Sequence, residues 1–241
     1  MSFKAIEKED LDFFNKVLGG NFVVTDPEIL KVNSHDETED LSFFPEVILL
    51  PHKTAEIQKV LSYCNENNIC VTPRGAGTGL SGGAIPFKGG VSLDMKRMNR
   101  IINIDEENFQ VITQPGVITE ELQNAVEEKG LFYPVDPASR GSCFIGGNVA
   151  ENSGGPRAVK YGTVKDYVLG LEVVLSDGRI IRTGTRTLKD ATGYDITRLI
   201  VGSEGTLAVI TEITLKLIPL PKKHLLMSIP FTSEKNATRA V

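Results

Sequence analysis

The segment Pro73–Gly83 constrains the fold of this chain more than any other part of its sequence. It reads P-R-G-A-G-T-G-L-S-G-G and holds five glycines in eleven residues. Glycine costs about 0.5–1 kcal/mol relative to alanine inside a helix or strand, so the cluster indicates a loop whose bare amides contact something. Successive backbone N–H groups in such a loop form a concave anion site. We therefore expect this segment to hold a phosphate.

Composition restricts the class of protein. The chain has 241 residues, 41% of them hydrophobic, and a net charge of -5, which is typical of a globular protein and argues against binding to nucleic acid. Its N-terminal residues are acidic and no apolar run reaches the roughly 18 residues of a membrane-spanning helix, so we expect a cytoplasmic protein with no transmembrane segment. The three cysteines, Cys64, Cys70 and Cys143, lack metal-site spacing and predict reduced structural thiols and no metal.

Hydrophobic patterns predict an α+β fold. Helices are expected over residues 7–18, from Asp26-Pro27, over 54–68 and over 120–129, with Thr54 and Thr119 as N-caps. Strands are expected over 46–50, 69–72, 91–95, 101–104, 109–113, 167–175, 179–183 and 206–218. The strand–helix–strand unit over 46–72 predicts a right-handed crossover between parallel strands. The glycine-rich segment follows the second of these strands, where open α/β sheets bind ligands.

We expect two lobes that meet near residue 105. Residues 1–105 would form a small parallel α/β lobe, and residues 106–221 a larger, mainly antiparallel lobe with helices. Residues 222–241 differ from both, since they predict a fresh strand over 225–230 and a helix from Ser233. We interpret them as the start of a further domain, with a frayed terminus as the alternative.

The glycine-rich segment has familiar but unsatisfactory explanations. Gly77–Gly82 matches G-x-G-x-x-G, and Asp94 follows Gly77 by 17 residues, as in a Rossmann dinucleotide fold. That fold requires a helix directly after the glycines, whereas Pro86 and Gly90 lead into a predicted strand. A Walker phosphate loop is excluded because no Lys-Ser/Thr pair follows the glycines. A flexible surface loop stays an alternative.

A second glycine-rich patch occupies residues 145–155 and reads I-G-G-N-V-A-E-N-S-G-G. Asn148, Asn152 and Ser153 are spaced through it, just as Thr78 and Ser81 are spaced through the first segment. One elongated ligand contacted by both patches explains more than two unrelated loops would.

Five further motifs join the two patches in a resemblance to a known family. They are Q-P-G-V at 114–117, D-P-A-S at 136–139, K-Y-G at 160–162, G-L-E-V-V-L-S-D-G at 170–178 and G-S-E-G-T-L at 202–207. In this order, over residues 45–221, the set resembles the FAD domain of the vanillyl-alcohol-oxidase (PCMH-type) flavoproteins. Within that superfamily it is most similar to the FAD-binding subunit of the glycolate oxidase and D-lactate dehydrogenase family.

The resemblance implies which residues contact FAD. Arg74 through Gly82 would surround the pyrophosphate through the amides of residues 75–78. The residues that would approach the isoalloxazine and ribityl chain are Pro137, Ala138, Ser139, Gly146, Gly147, Ala150 and Asn152. Glu204, Gly205 and Ile210 would lie by the adenosine. The implied set is Pro73, Arg74, Gly75, Ala76, Gly77, Thr78, Gly79, Leu80, Ser81, Gly82, Pro115, Gly116, Pro137, Ala138, Ser139, Cys143, Gly146, Gly147, Asn148, Ala150, Asn152, Gly155, Tyr161, Gly162, Glu204, Gly205 and Ile210. Purely structural roles are the alternative for Gly147, Gly155, Tyr161 and Glu204.

The resemblance also implies how FAD is attached. Thr78 stands where covalent members of the superfamily carry a histidine bonded to the flavin. The histidines of this chain are His35, His52 and His224, and none lies in the loop. We therefore expect non-covalent FAD, and we interpret His35 and His52 as ordinary polar residues.

The family oxidises a 2-hydroxy acid, of the D-lactate or glycolate type, by hydride transfer to FAD. Its electrons then pass to a separate carrier such as an iron–sulfur subunit, an electron-transfer flavoprotein or a quinone. The substrate-binding and catalytic residues would belong to a cap domain after residue 222, so they are unknown here and the chain alone is expected to be inactive. Two alternatives stay open: an NADPH-dependent enolpyruvyl-sugar reductase, which the I-G-G-N-V-A and D-P-A-S motifs disfavour, and a non-catalytic nucleotide-binding module.

Overall fold

The computed structural model describes residues 3–223 and 225–240. The first part of the chain contains the helices α1 (Lys8–Leu18), α2 (Pro27–Val32) and α3 (Thr54–Glu66) and the strands β1 (Val23–Val24), β2 (Val47–Leu49), β3 (Val71–Arg74) and β4 (Val91–Asp94). The remainder contains the strands β5 (Ile101–Asp105), β6 (Gln110–Thr113), β7 (Leu131–Phe132), β8 (Val168–Leu175), β9 (Ile180–Gly184), β10 (Ala208–Lys216) and β11 (Ile218–Pro219). Its helices are α4 (Thr119–Glu127), α5 (Ile145–Glu151), α6 (Ala158–Tyr161), α7 (Ile196–Ile200) and α8 (Glu234–Ala240).

The first sheet has the strand order β1-β2-β4-β3. Strands β2 and β3 both run parallel to β4, which lies between them, so the predicted parallel crossover through α3 is confirmed. All residues of β2 and β4 are buried, as expected for parallel strands covered on both faces. Strand β3 lies at the edge of the sheet, and the glycine-rich segment leaves from its carboxyl end.

The second sheet has the order β5-β6-β10-β8-β9 and is antiparallel throughout. Its central strand β10 is buried at every position from Ala208 to Lys216 except Glu212 and Lys216, which are half-buried. The predicted hairpin around residues 176–178 is confirmed as β8 and β9. The α+β fold, with one mainly parallel and one antiparallel sheet, agrees with the expected fold class.

The hydrophobic core joins the two sheets. One buried cluster packs α4 and α5 against the antiparallel sheet, and a second packs α1 and α3 against the parallel sheet. Val174 of β8 and Val209 of β10 belong to the second cluster, so the antiparallel sheet contributes to both. Strand β5 ends at Asp105, within the range expected for the parallel lobe, yet it belongs to the antiparallel sheet. The division into lobes near residue 105 stays a prediction.

Two predicted helix caps are wrong. Thr54 and Thr119 are the first residues of their helices, and Lys53 and Ile118 precede them without a side-chain cap. The threonine hydroxyls bind tertiary partners instead. Thr54 donates to Glu172 of β8 at 2.8 Å, and Thr119 lies 3.3 Å from the carbonyl oxygen of Cys143.

The predicted strand over residues 225–230 is also wrong, because these residues form no regular structure. Leu225 and Leu226 are 94% and 99% exposed, so the apolar pattern that suggested a strand finds no sheet to pack against. The predicted helix that follows is confirmed as α8, apart from Val241, which lies outside the described residues. No helix in the described part of the chain is long and apolar enough to cross a membrane.

Two buried tyrosines in contact with each other provide a test of the core. The Tyr133 hydroxyl is fully buried without a hydrogen-bond partner among the described residues, while that of Tyr167 donates to the Tyr161 carbonyl at 2.7 Å. Tyr133→Phe removes an unsatisfied polar group and is expected to raise the free energy of unfolding by up to about 1 kcal/mol. Tyr167→Phe, which loses a real bond, is expected to lower it by about 1 kcal/mol. Urea denaturation of both variants checks this, and equal losses would contradict it.

Candidate cofactor-binding site

The first glycine-rich segment begins where β3 ends. After Arg74 the chain continues without a helix up to β4, which confirms the sequence argument against a Rossmann fold. Gly77 and Gly82 adopt positive φ angles of 75° and 79°, a conformation that glycine tolerates without a steric penalty.

Arg74 holds this segment in place. Its side chain is buried, and Nη1 and Nη2 each donate to a carbonyl oxygen at 3.3 Å, those of Ala84 and Val32 respectively. Burial lowers the pKa of the guanidinium, while the nearby carboxylates of Asp94 and Asp36 act in the opposite direction. A side chain on Gly77 would collide with the guanidinium. The hydrogen bonds of Arg74 thus fix the conformation of the glycine-rich segment.

The second glycine-rich patch forms helix α5, a local structure that the sequence interpretation did not anticipate. The helix ends at Asn152, which has a left-handed conformation with φ 51°. Its Oδ1 accepts from Thr163 and from the Lys165 amide, so this side chain ties the helix end to a following turn. Asn148 is buried and donates to Thr119 at 2.6 Å.

The two patches meet at their glycines. A Cβ atom on Gly75 would lie 3.7 Å from the Cα of Gly147, whereas one on Gly147 would have no described atom within 4 Å. Gly147 therefore faces open space next to the first segment. Gly146, its neighbour, is packed so closely that its Cβ would overlap Pro115.

A third wall comes from the turn before β10. Glu204 has a φ of 51°, and its N–H donates to the Ala150 carbonyl at 2.9 Å, which fixes the turn to α5. Gly205 lies against the Pro73 ring, since a Cβ there would be 3.1 Å from Pro73 Cγ. Elements from both sheets thus surround one cleft.

This cleft encloses about 920 Å³, part of it open to solvent. Of the residues predicted from the sequence, those that line it are Pro73, Arg74, Gly75, Ala76, Gly77, Thr78, Gly79, Pro115, Ser139, Cys143, Gly146, Gly147, Asn148, Ala150, Glu204, Gly205 and Ile210. The structure thus brings together three segments that are far apart in the sequence.

The other predicted residues lie outside the lining of the cleft: Leu80, Ser81, Gly82, Gly116, Pro137, Ala138, Asn152, Gly155, Tyr161 and Gly162. Several of them pack against other groups. A Cβ on Gly116 would overlap the Met95 carbonyl oxygen and one on Gly155 that of Asp136, so both glycines permit close backbone contacts. Tyr161 packs edge-on against Phe132, which agrees with its alternative as a core aromatic.

Sequence reasoning missed several lining residues: Gly83, Ala84, Met95, Phe144, Glu151, Ser153, Ala208 and Val209. Glu151 and Ser153 lie within the second patch and could have been included with it. Met95, Ala208 and Val209 carry no polar group that would single them out, and only the packing of β4 and β10 brings them to the cleft.

The carboxyl group of Glu151 is the lining group with the most altered environment. Burial raises its pKa, and the carboxylates of Glu204 and Asp36 raise it further, while a hydrogen bond from Ser81 acts in the opposite direction. His52 contacts Glu56 instead, and neither His35 nor His52 lines the cleft; His224 lies outside the described residues.

Such a cleft, with bare amides along one wall and a helix of small residues along the other, defines a binding domain for a phosphate-bearing cofactor. A family model described as an FAD binding domain matches residues 45–184. The chain belongs to this family of FAD-binding domains, and its cofactor is FAD.

Curated relatives carry the names of oxidases and dehydrogenases. The chain is 53% identical, over 81% of its length, to the glycolate oxidase subunit GlcD of Bacillus subtilis, of which it covers 42%. It is 41% identical over 99% of its length to a D-lactate dehydrogenase of Anaerostipes hadrus, of which it covers 50%. It is 38% identical over 96% of its length to a mitochondrial D-2-hydroxyglutarate dehydrogenase of Danio rerio, of which it covers 43%. The chain therefore spans about half the length of the curated relatives it matches.

Solved structures share the fold at low sequence identity. An alkyldihydroxyacetonephosphate synthase superposes with a TM-score of 0.81 at 23% identity, over 92% of this chain and 42% of its own. A p-cresol methylhydroxylase superposes with a TM-score of 0.74 at 21% identity, over 92% of this chain and 46% of its own. These likenesses agree with the PCMH-type fold expected from the motifs.

Proposed function

We propose that this chain is the FAD-binding part of an oxidoreductase that oxidises a 2-hydroxy acid of the D-lactate or glycolate type and holds its FAD non-covalently. The observation that carries the proposal is the convergence of both glycine-rich patches on one cleft, in a chain 53% identical to a glycolate oxidase subunit. When bound, FAD accepts the hydride equivalent, and the protein supplies binding and orientation.

The cleft residues support distinct roles in holding the cofactor. The amides of residues 75–78 would donate to the pyrophosphate, which spreads its charge over backbone dipoles. Gly147, which faces open space, would let a flat ring approach the backbone closely. The buried apolar residues Ala208 and Ile210 would exclude water from the far end of the cleft.

The proposal extends to the substrate, the general base and the electron acceptor. We propose that the hydroxy acid binds next to Ser139 and Cys143 at the end of the cleft assigned to the isoalloxazine ring, with its general base outside residues 1–221. The electrons would leave to a separate carrier, namely an iron–sulfur subunit, an electron-transfer flavoprotein or a quinone. The cytoplasmic location rests on the sequence argument alone.

Non-covalent attachment has a direct test. No histidine among the described residues lines the cleft. In the glycine-rich segment, Thr78 stands where the covalent members of the superfamily carry a histidine. Acid precipitation of the flavin-loaded protein is therefore expected to release all of its flavin, and intact-mass spectrometry is expected to give the mass of the bare polypeptide. A polypeptide heavier by one flavin would contradict the proposal.

Anaerobic stopped-flow mixing of the natural full-length protein with 2-hydroxy acids tests the activity. Loss of the oxidised-flavin absorbance with D-lactate, glycolate or D-2-hydroxyglutarate, but not with NADPH, is the expected result. Reduction by NADPH alone would favour a reductase instead. No reduction by any hydroxy acid would overturn the proposed activity while leaving FAD binding intact.

A further inference from the structure

Ser81 makes two contacts that one hydroxyl proton cannot satisfy. Its Oγ lies 3.1 Å from Oε2 of Glu151 and 3.2 Å from Oε2 of Glu204. A hydroxyl group donates one hydrogen bond and otherwise accepts. If both carboxyl groups were ionised, Ser81 could donate its proton to only one of them. Its oxygen would then face the oxygen of the other carboxylate with no proton between them. The arrangement is satisfied when one carboxyl group is protonated, donates to Ser81, and Ser81 donates to the other.

We propose that Glu151 and Glu204 share a single proton through Ser81, and that FAD binding favours uptake of this proton, which links the glycine-rich loop to α5 and to the turn before β10. The three residues come from the three walls of the cleft: the loop, the end of α5 and the turn before β10. A complete chain of hydrogen bonds among them fixes the loop to the other two walls. The inference depends on FAD occupying the cleft and not on the identity of the hydroxy acid.

The surroundings of the pair are consistently unfavourable to a second negative charge. Besides Glu204, Asp36 faces Glu151 from the segment after α2, and both carboxylates raise the pKa of Glu151 in addition to its burial. The charged groups that shift the pKa of Glu151 are both carboxylates, and the guanidinium of Arg74 donates to the carbonyls of Ala84 and Val32. Glu151 is also the last residue of α5, where the negative end of the helix dipole disfavours a carboxylate.

Asp36 adds a further observation. Its Oδ1 accepts from the Thr38 amide at 2.8 Å, but its Oδ2 is buried without a hydrogen-bond partner among the described residues. A bound cation would be another way to compensate these carboxylates. However, the described residues contain no group of three His, Cys, Asp or Glu side chains placed to hold a metal ion. A proton is therefore the simpler compensation.

The carboxyl group of Glu151 lies against the loop that would bind the pyrophosphate. A Cβ on Gly79 would be 3.1 Å from Glu151 Oε1, and one on Gly83 would be 2.9 Å from Glu204 Oε2. Two phosphate charges entering this cleft raise the proton affinity of the Glu151 carboxyl group, since like charges disfavour the ionised form. FAD binding and proton binding must then strengthen each other by linkage. Affinity is greatest below the pKa of the free pair and falls as the pH rises above it.

The test is the dissociation constant of FAD, measured by titration of the flavin-free chain between pH 5 and 8.5. For the unmodified protein the dissociation constant is expected to rise with pH, by up to about tenfold per pH unit. In Glu151→Gln the amide donates permanently to Ser81, so the dissociation constant is expected to stay nearly constant and below that of the unmodified protein at pH 8.5. Glu127→Gln, at an exposed position of α4, is the matched control and should follow the unmodified protein.

Calorimetry in two buffers of different ionisation enthalpy gives a second measurement that needs no variant. Uptake of up to one proton per FAD bound is expected at pH values above the pKa of the free pair. A dissociation constant that does not change with pH, a Glu151→Gln profile parallel to the control, or binding without proton uptake would each overturn the shared proton. Because FAD is the probe and no hydroxy acid is added, none of these results bears on the proposed oxidation.

Discussion

Replacing Arg74 by methionine is expected to weaken FAD binding at least about hundredfold and to lower the free energy of unfolding by about 3 kcal/mol. The guanidinium supplies two hydrogen bonds that hold the glycine-rich loop to Ala84 and Val32, and bonds from a charged donor contribute about 1.5–3 kcal/mol each. Its removal also takes the positive charge away from Asp36 and Asp94, which are 6% and 5% exposed. Loss of the partner of a buried charge costs about 3–5 kcal/mol.

Three variants separate the roles of this arginine. Arg74→Lys keeps the charge but not the planar fork, so it is expected to recover stability more than FAD affinity. Arg198→Met removes an exposed arginine whose contact is a surface ion pair with Asp195, and surface pairs contribute about 0–1 kcal/mol. Fluorescence titration with FAD and urea denaturation of the flavin-free proteins give both quantities. An Arg74→Met protein with the FAD affinity and the stability of Arg198→Met would show that the guanidinium of Arg74 does not stabilise the loop.

Two adjacent glycines of α5 are expected to respond to the same substitution in opposite directions. A methyl group on Gly146 would overlap the Pro115 ring and lie 3.0 Å from the Pro115 carbonyl oxygen, and overpacking of this kind costs about 1–3 kcal/mol. A methyl group on Gly147 meets no described atom within 4 Å. Because alanine favours a helix over glycine by about 1 kcal/mol, Gly147→Ala is expected to stabilise the flavin-free protein.

FAD affinity is the second quantity to be compared. Gly147 faces the cleft, so the methyl group that stabilises the helix occupies space that we assign to the cofactor, and FAD affinity is expected to fall. Urea denaturation without FAD and fluorescence titration with FAD measure the two effects on each variant. Equal changes in stability, or unchanged FAD affinity in Gly147→Ala, would contradict the assignment of Gly146 to packing and Gly147 to the cofactor.

Sequence patterns were sufficient for most of the fold because its elements bury regular apolar faces. Strand β2 is a short, fully apolar run before a proline, and β10 keeps its buried pattern over nine residues. The caps were less predictable. Thr54 and Thr119 are of a residue type typical of an N-cap but lie one residue inside their helices, and each hydroxyl finds a partner far away in the sequence. Tertiary contacts of this kind leave no trace in local sequence.

The residues of the cofactor site also divide into those that the sequence predicts and those that it does not. The glycine-rich segment was recognisable because clustered glycines have a cost in conformational entropy that calls for an explanation, and most of the segment lines the cleft. The second patch was predicted as a ligand contact, yet its helical conformation was not, since two glycines oppose a helix. Ala208 and Val209 reach the cleft through β10 alone. No chemical property of an alanine or a valine distinguishes that role from ordinary core packing.

The walls of the cleft come from segments near residues 75, 147 and 205, which the chain must bring together from distant parts of the sequence. A ligand that binds only this closed arrangement stabilises the whole protein by mass action, by about 2.7 kcal/mol when its free concentration is a hundred times its dissociation constant. The population of folded protein would then rise and fall with the concentration of free FAD, so the cofactor would act as a structural component of this domain as well as its redox group.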